Sequence, residues 1–259
     1  MIRKMLSRFA LPAFVASMYA FMYIPIAVLV IFSFNSVAFP YHWVSFSWRW
    51  YQELLQSAEI WLAFEHSLIV AFSAVFLSLT MGLLIVFYSM HSKIKEVLSL
   101  FYINLMIPEI VLAVGLLSFF MLFSVPLGLT TLIAGHTLLG LGYVVPLLYA
   151  GFQQLDVKVI EASLDLGASL HQTFYKIILP LLLPSIVVSG LLVFILSFDD
   201  FVISFFCSGA TAQTLPIYIY AMIRSGVHPT INALSTIMLF VSSLFVLLFV
   251  SLKTRVRIF

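Results

Sequence analysis

Charge is what this 259-residue chain has least of: 8% of its residues are Asp, Glu, Lys or Arg. Soluble domains carry roughly 25%. A soluble domain of this length could not cover its surface with so few polar groups, which excludes a freely soluble fold. The single cysteine, Cys207, rules out an intrachain disulfide and a cysteine metal cluster. The six histidines are scattered and form no HExxH pair, so no metal site is expected. No GxxxxGK[ST] phosphate loop occurs, so the chain does not hydrolyse ATP by that route. No spacing of serine, histidine and carboxylate suggests a catalytic arrangement, so no catalytic residue is expected. A formal charge of +2 is too small to suggest a nucleic-acid partner. Internal repeats and low-complexity segments are not apparent, and residues 1–259 read as one domain.

Apolar residues make up 63% of the chain, and they fall in long uncharged runs. Phe9 to Phe34 lacks charge for 26 residues. Arg3, Lys4 and Arg8 precede it as in a signal peptide. The run is too long for such a peptide and no A-x-A site follows, so it reads as an uncleaved first helix. Between Val97 and Leu155 the one charge is Glu109, a stretch too long for one helix, and Ser124–Gly128 divides it. Six transmembrane helices are expected, over about 9–34, 66–90, 97–123, 129–150, 177–206 and 230–252. The fold class is all-α, a polytopic membrane protein sharing its surface with the lipid bilayer.

Six spans put both ends of the chain on one side, together with the second-to-third and fourth-to-fifth connections. That side holds ten of the twelve basic residues, leaving Arg49 and Arg224 on the other. The positive-inside rule therefore places both termini and those two connections in the cytoplasm. Outside, residues 35–65 form the longest loop and hold all four tryptophans, Trp43, Trp48, Trp50 and Trp61. Aromatics there read equally as headgroup anchors and as a docking platform for an outside protein. Residues 214–229 read as a short amphipathic outer helix ending at Gly226.

One polar island, residues 156–180, interrupts the apolar pattern on the cytoplasmic side. Asp156 can cap a short helix carrying Lys158, Glu161 and Asp165, and Gly167 stands where a C-terminal cap would. Ser169 opens a second helix with Gln172 at capping-box spacing. Two short helices joined at a glycine make a bent knob.

The order Glu161-Ala162-Ser163, Gly167, then Ile177-x-Leu179-Pro180 resembles the EAA loop of ABC importer permeases. Ser163 replaces the usual second alanine, one small residue for another. FNSVAFPYHWVSFSWRWYQELL, MIPEIVLAVGLL, SFDDFVISFF and TLPIYIYAMIRSGVHPTINALSTI are similar to segments of the second permease subunit of spermidine/putrescine importers. The resemblance implies a type I permease fold and a coupling loop at Glu161, Ala162, Ser163, Asp165, Gly167, Ile177, Leu179 and Pro180. It implies a bacterial inner-membrane protein forming half a path for polyamines, paired with a second permease in a heterodimer. Two copies of an ATPase subunit and an extracytoplasmic polyamine-binding protein complete the assembly. The chain itself is then no enzyme and binds no cofactor, with ATP-Mg used by the ATPase.

The residues bear on a cationic cargo independently. Counting from Pro180, 19 residues at about 1.5 Å each place Asp199 roughly 28 Å away, towards the outer leaflet. Glu109 follows Pro108 midway along the third span, where a kink or unwound turn would expose backbone carbonyls. A carboxylate in hydrocarbon costs about 2.5–3.5 kcal/mol, so such residues face a cavity, a partner or a path. Adjacent helical residues point about 100° apart. One of Asp199 and Asp200 is therefore expected to line the path while the other holds local structure. The competing reading has the pair only capping the outer end of a broken helix. Tyr143, Phe198 and Phe201 are candidates for stacking on ammonium groups, and His136 reads as a satisfied core histidine. The same machinery for a metal ion, an amino-acid-like solute or an opine is one alternative. An ATP-independent channel or secondary carrier is another, and it would need no cytoplasmic knob.

Overall fold

The structure is a computed structural model that describes residues 2–37, 42–89, 95–226 and 229–256. In chain order its helices are α1 (Ile2–Phe32), α2 (Arg49–Gln56), α3 (Ala58–Ser89), α4 (Lys95–Asn104), α5 (Glu109–Leu122) and α6 (Leu129–Gln153). They continue as α7 (Val157–Asp165), α8 (Leu170–Thr173), a π turn over Phe174–Ile178, and α9 (Leu179–Leu181). The last are α10 (Leu183–Phe198), α11 (Val202–Cys207), α12 (Leu215–Ser225) and α13 (Pro229–Val256). Among the described residues the extended pairing is a single bridge between Asn35 and Phe46.

Among the described residues three helices are long and apolar enough to cross a membrane: Leu11–Phe32, Ala58–Ser89 and Leu129–Gln153. A fourth crossing is possible as a pair bent by 66°, Leu170–Leu181 with Leu183–Phe198. Two shorter apolar helices, Glu109–Leu122 and Pro229–Leu244, fall in the remaining two stretches. Three boundaries differ from expectation. The second span begins eight residues early, at Ala58, because Ser57 starts the helix: its hydroxyl accepts from Ile60 N–H and its carbonyl from Trp61 N–H. Trp61 is thus helical. The third span is two helices, α4 and α5, because Pro108 has no N–H with which to continue the ladder. The fifth span bends at Leu182, two residues before Pro184, and stops at Asp199 before resuming at Val202.

The chain divides into two compact units, residues 1–61 with 219–259 and residues 62–218. In the first, α13 packs on α1 and α2. The loop after α1 folds onto its own aromatics. Trp50 is 2% exposed and its Nε1–H donates to the Asn35 carbonyl at 2.6 Å. The Tyr51 hydroxyl meets Ser33 Oγ at 2.7 Å, and the Phe34 ring sits against Phe46, Trp48 and Tyr51. Trp50 is therefore an internal tie, neither a lipid anchor nor a docking residue. Trp43, Trp48 and Trp61 remain exposed.

In the second unit α6 is the central helix, with α4, α5, α10 and α11 packed around it. Their close approach requires small residues on α6. A Cβ on Gly135 would stand 2.8 Å from Ile203 Cγ2 of α11. Gly135→Val should therefore cost about 1–3 kcal/mol through overpacking. The expected result is a lower unfolding midpoint of the detergent-purified chain, checked by thermal-shift chromatography. The lower core of this unit joins Val86, Val144, Leu148, Phe174, Ile178 and Leu182.

Candidate functional site

Two regions of the second unit gather the sequence-predicted residues. The first is the knob. Asp156 Oδ1 accepts from the Lys158 N–H at 3.0 Å and caps α7. At the other end Gly167, with φ +86°, donates its N–H to Leu164 O, and Ala168 N–H reaches back to Ser163 O. These two bonds are a Schellman closure, which needs a residue comfortable in the left-handed region. Ser169 Oγ accepts from the Gln172 N–H while Gln172 Oε1 accepts from the Ser169 N–H, a complete capping box.

The inside of the knob explains Ser163. Its hydroxyl is buried and shares a 2.9 Å hydrogen bond with Thr173 Oγ1, tying α7 to α8. Thr173→Val would leave the Ser163 hydroxyl unpaired, a loss of about 1–3 kcal/mol. Faster proteolysis within residues 156–180 of the purified chain is the expected readout. Phe174 and Ile178 carry the knob into the lower core, with Phe174 edge-on to Phe87 at 5.0 Å. Outward, Glu161, Ala162, Asp165, Gly167 and Pro180 are exposed, and Ile177 and Leu179 are half-buried. Leu166 is 88% exposed, an apolar tip with acidic Asp165 and Glu161 on the same short helix end. Such a tip suits insertion into an apolar groove of a soluble partner.

The second region is the interruption of the fifth span. The sixteen residues of α10 rise about 24 Å, so this region lies at the opposite end of α10 from the knob. The helical ladder stops where Asp199 N–H meets Ile195 O. Asp200 is buried, and its carboxylate accepts from the Ile203 N–H at 3.3 Å and the Ser204 N–H at 2.8 Å. That carboxylate restarts the helix as α11. Asp199, one residue earlier, is exposed. The two aspartates thus point to different surroundings, as their 100° separation requires.

Glu109 opens α5, and its carboxyl group lies in hydrogen-bonding reach of Asp200. A cavity of about 100 Å³ adjoins it, lined by Asn104, Leu105, Ile107, Glu109, Tyr143 and neighbouring leucines. Glu109, Tyr143 and Asp200 are therefore one neighbourhood. Phe198 instead stacks on Phe194 at 5.7 Å and meets Phe64 edge-on at 6.1 Å. Phe201 lies 5.4 Å from Phe205. Both rings are engaged with other phenylalanines.

Sequence reasoning missed Asn104, Ser197 and Ser204. Asn104 Nδ2 donates to Leu138 O at 3.0 Å and packs on Gly142, where a side chain would collide with it. A lone amide near the end of an apolar run was the available signal. His136 is buried and satisfied: Nδ1 meets Ser197 Oγ at 2.8 Å, and Nε2 meets Ser204 Oγ at 3.2 Å. Asp200 Oδ2 is 3.5 Å from Nε2. No group of metal-binding side chains occurs among the described residues.

Residues 74–257 match the family model described as binding-protein-dependent transport system inner membrane component. The chain belongs to that family. This permease is 39% identical over 246 residues to the spermidine/putrescine transport system permease protein PotC of Escherichia coli strain K12. That alignment covers 94% of this chain and 93% of the relative. It is 40% identical to the PotC of Haemophilus influenzae, across 94% and 96% of the two chains. The putrescine transport system permease protein PotI of Escherichia coli K12 is 32% identical, covering 85% and 82%. The fold also matches a solved bacterial ABC transporter involved in importing the acidic polysaccharide alginate. There the TM-score is 0.72 at 17% identity, with 99% of each chain covered. The permease is thus an inner-membrane component of a binding-protein-dependent transport system, a transport subunit and not an enzyme. Membership of a binding-protein-dependent transport system implies a binding protein, a partner permease and an ATPase.

Proposed function

We propose that this permease forms half of the translocation path for spermidine and putrescine, as one member of a permease heterodimer. The observation that carries the reading is similarity to polyamine permeases over 94% of the chain, joined to acidic groups standing where an apolar path would need none. Glu109 lines the same cavity as Tyr143, whose ring and hydroxyl suit an ammonium group, and Asp199 and Asp200 form the turn that Glu109 approaches. Of the aspartates, Asp199 is the exposed one and is assigned to the path; Asp200 holds the turn. Phe198 and Phe201 border the same turn.

In this reading both termini and the knob face the cytoplasm, which the distribution of lysine and arginine supports. Two copies of an ATPase, using ATP-Mg, grip the knobs of the two permeases. Closure of the ATPase pair pushes on Leu166 and its neighbours, and the permeases rock between inward-open and outward-open states. An extracytoplasmic binding protein delivers the polyamine to the outer loops.

The test is uptake of labelled putrescine and spermidine by the complete transporter in proteoliposomes, with ATP inside and binding protein outside. Uptake competed by neither polyamine, but by a metal ion or an amino acid, would transfer the machine to another cargo. Transport by this chain with no ATPase would overturn the coupling role.

A further inference from the structure

His136 is a polar residue within the apolar helix α6, and neither coupling nor cargo binding explains it. Its imidazole touches three points: one on α10, one on α11 and one in the turn between them. Nδ1 meets Ser197 Oγ in the last turn of α10 at 2.8 Å. Nε2 meets Ser204 Oγ of α11 at 3.2 Å and faces Asp200 Oδ2 at 3.5 Å, at the interruption between them. All four side chains are buried. A planar ring with two nitrogens pointing different ways is suited to joining two hydroxyls on separate helices. Gly135 lets α11 come close enough for this, since Ile203 occupies the space its Cβ would need.

Backbone bonding alone leaves this region weak. Ile203 and Ser204 N–H groups are satisfied by the Asp200 side chain instead of by carbonyls of α10. The angle between α10 and α11 is then set by what holds Ser197, Asp200 and Ser204 in place. We propose that His136 is a positioning residue: it staples both halves of the interrupted fifth span to α6 and so fixes the Asp199–Asp200 turn beside Glu109. The functional consequence rests on the reading of that turn as part of the solute path. The staple itself does not.

Three substitutions separate the contacts. Asn places an oxygen where Nδ1 stands, Gln places an amide where Nε2 stands, and Leu keeps bulk with no polar atom. The assembled transporter carrying each variant is reconstituted in proteoliposomes, and polyamine KM, maximal uptake and basal ATPase rate are measured. His136→Leu should raise KM about tenfold or more, with basal ATPase within about twofold of the parent. His136→Gln, which keeps the contact to Ser204 and Asp200, should recover most of the loss. A second readout needs no solute: alkylation of Cys207, the single cysteine of this chain, by N-ethylmaleimide, quantified on its own peptide. Cys207 is buried at the end of α11. It should become reactive in His136→Leu and stay protected in His136→Gln.

Unchanged KM together with unchanged Cys207 protection in His136→Leu would overturn the proposal. A parallel fall of basal ATPase, assembly and uptake in all three variants would also overturn it, leaving a residue needed only for folding. If the parent transporter moves no polyamine, the cargo reading fails, and the Cys207 pattern still decides the staple.

Discussion

Gly167→Val is expected to abolish coupled transport while the chain still inserts into the membrane. The backbone at this residue has φ +86°, where a β-branched side chain is strained by on the order of 1–3 kcal/mol. The knob can relieve that strain by opening the Schellman closure, losing the bonds from Gly167 N–H to Leu164 O and from Ala168 N–H to Ser163 O. Leu166, the exposed apolar tip, then has no fixed direction. The expected result is a fall in ATP-driven uptake of at least about tenfold and loss of the ATPase during co-purification, with normal amounts of chain in the membrane. Two companions separate the causes. Gly167→Asn keeps access to the left-handed region and adds no charge, so it should retain most uptake. Gly167→Asp has nearly the same shape, with open space around the new Cβ, but places a third acid beside Glu161 and Asp165. Loss in Asp but not Asn would mean that the partner surface rejects charge. Full uptake and ATPase binding in the Val variant would remove the knob from coupling.

The knob was legible in the sequence because its signals are local. Asp156, Gly167, and the Ser169/Gln172 pair each act on backbone within four residues, and the structure has each cap in place. The long apolar helices at Leu11–Phe32, Ala58–Ser89 and Leu129–Gln153 were legible for a similar reason, since uncharged length is read directly from the chain. The interruptions were only half visible. Pro108 announced the break between α4 and α5, whereas at Asp199 the signal was only an aspartate pair that could cap a broken helix, with no proline or glycine beside it. There the break depends on a buried carboxylate outcompeting the carbonyls of α10, aided by a histidine more than sixty residues earlier. Ser163 looked like a neutral exchange for alanine, and only its partner ten residues on reveals a hydrogen bond. Trp50 was misplaced because composition cannot distinguish an interfacial indole from one whose N–H is consumed by Asn35.

The two adjacent aspartates should respond oppositely to the same chemical change. Asp199→Asn changes an exposed side chain with no hydrogen bond or ion pair among the described residues, so the fold should be indifferent. If that side chain helps to draw a polycation into the path, polyamine KM should rise about tenfold while the unfolding midpoint stays fixed. Asp200→Asn leaves one carbonyl oxygen where two oxygens served Ile203 and Ser204, so a buried N–H loses its acceptor. That costs about 1–3 kcal/mol and should appear as a lower unfolding midpoint before any change in KM is interpretable. Glu109→Gln belongs with the first case by exposure and with the second by its proximity to Asp200. Its expected effect is a higher KM at unchanged stability, because glutamine can still hydrogen-bond the neighbouring carboxylate. Measuring uptake kinetics and melting on the same preparations checks all three. A stable Asp199→Asn with unaltered KM would confine these carboxylates to holding the helix break, and the cationic cargo would then have to be recognised elsewhere.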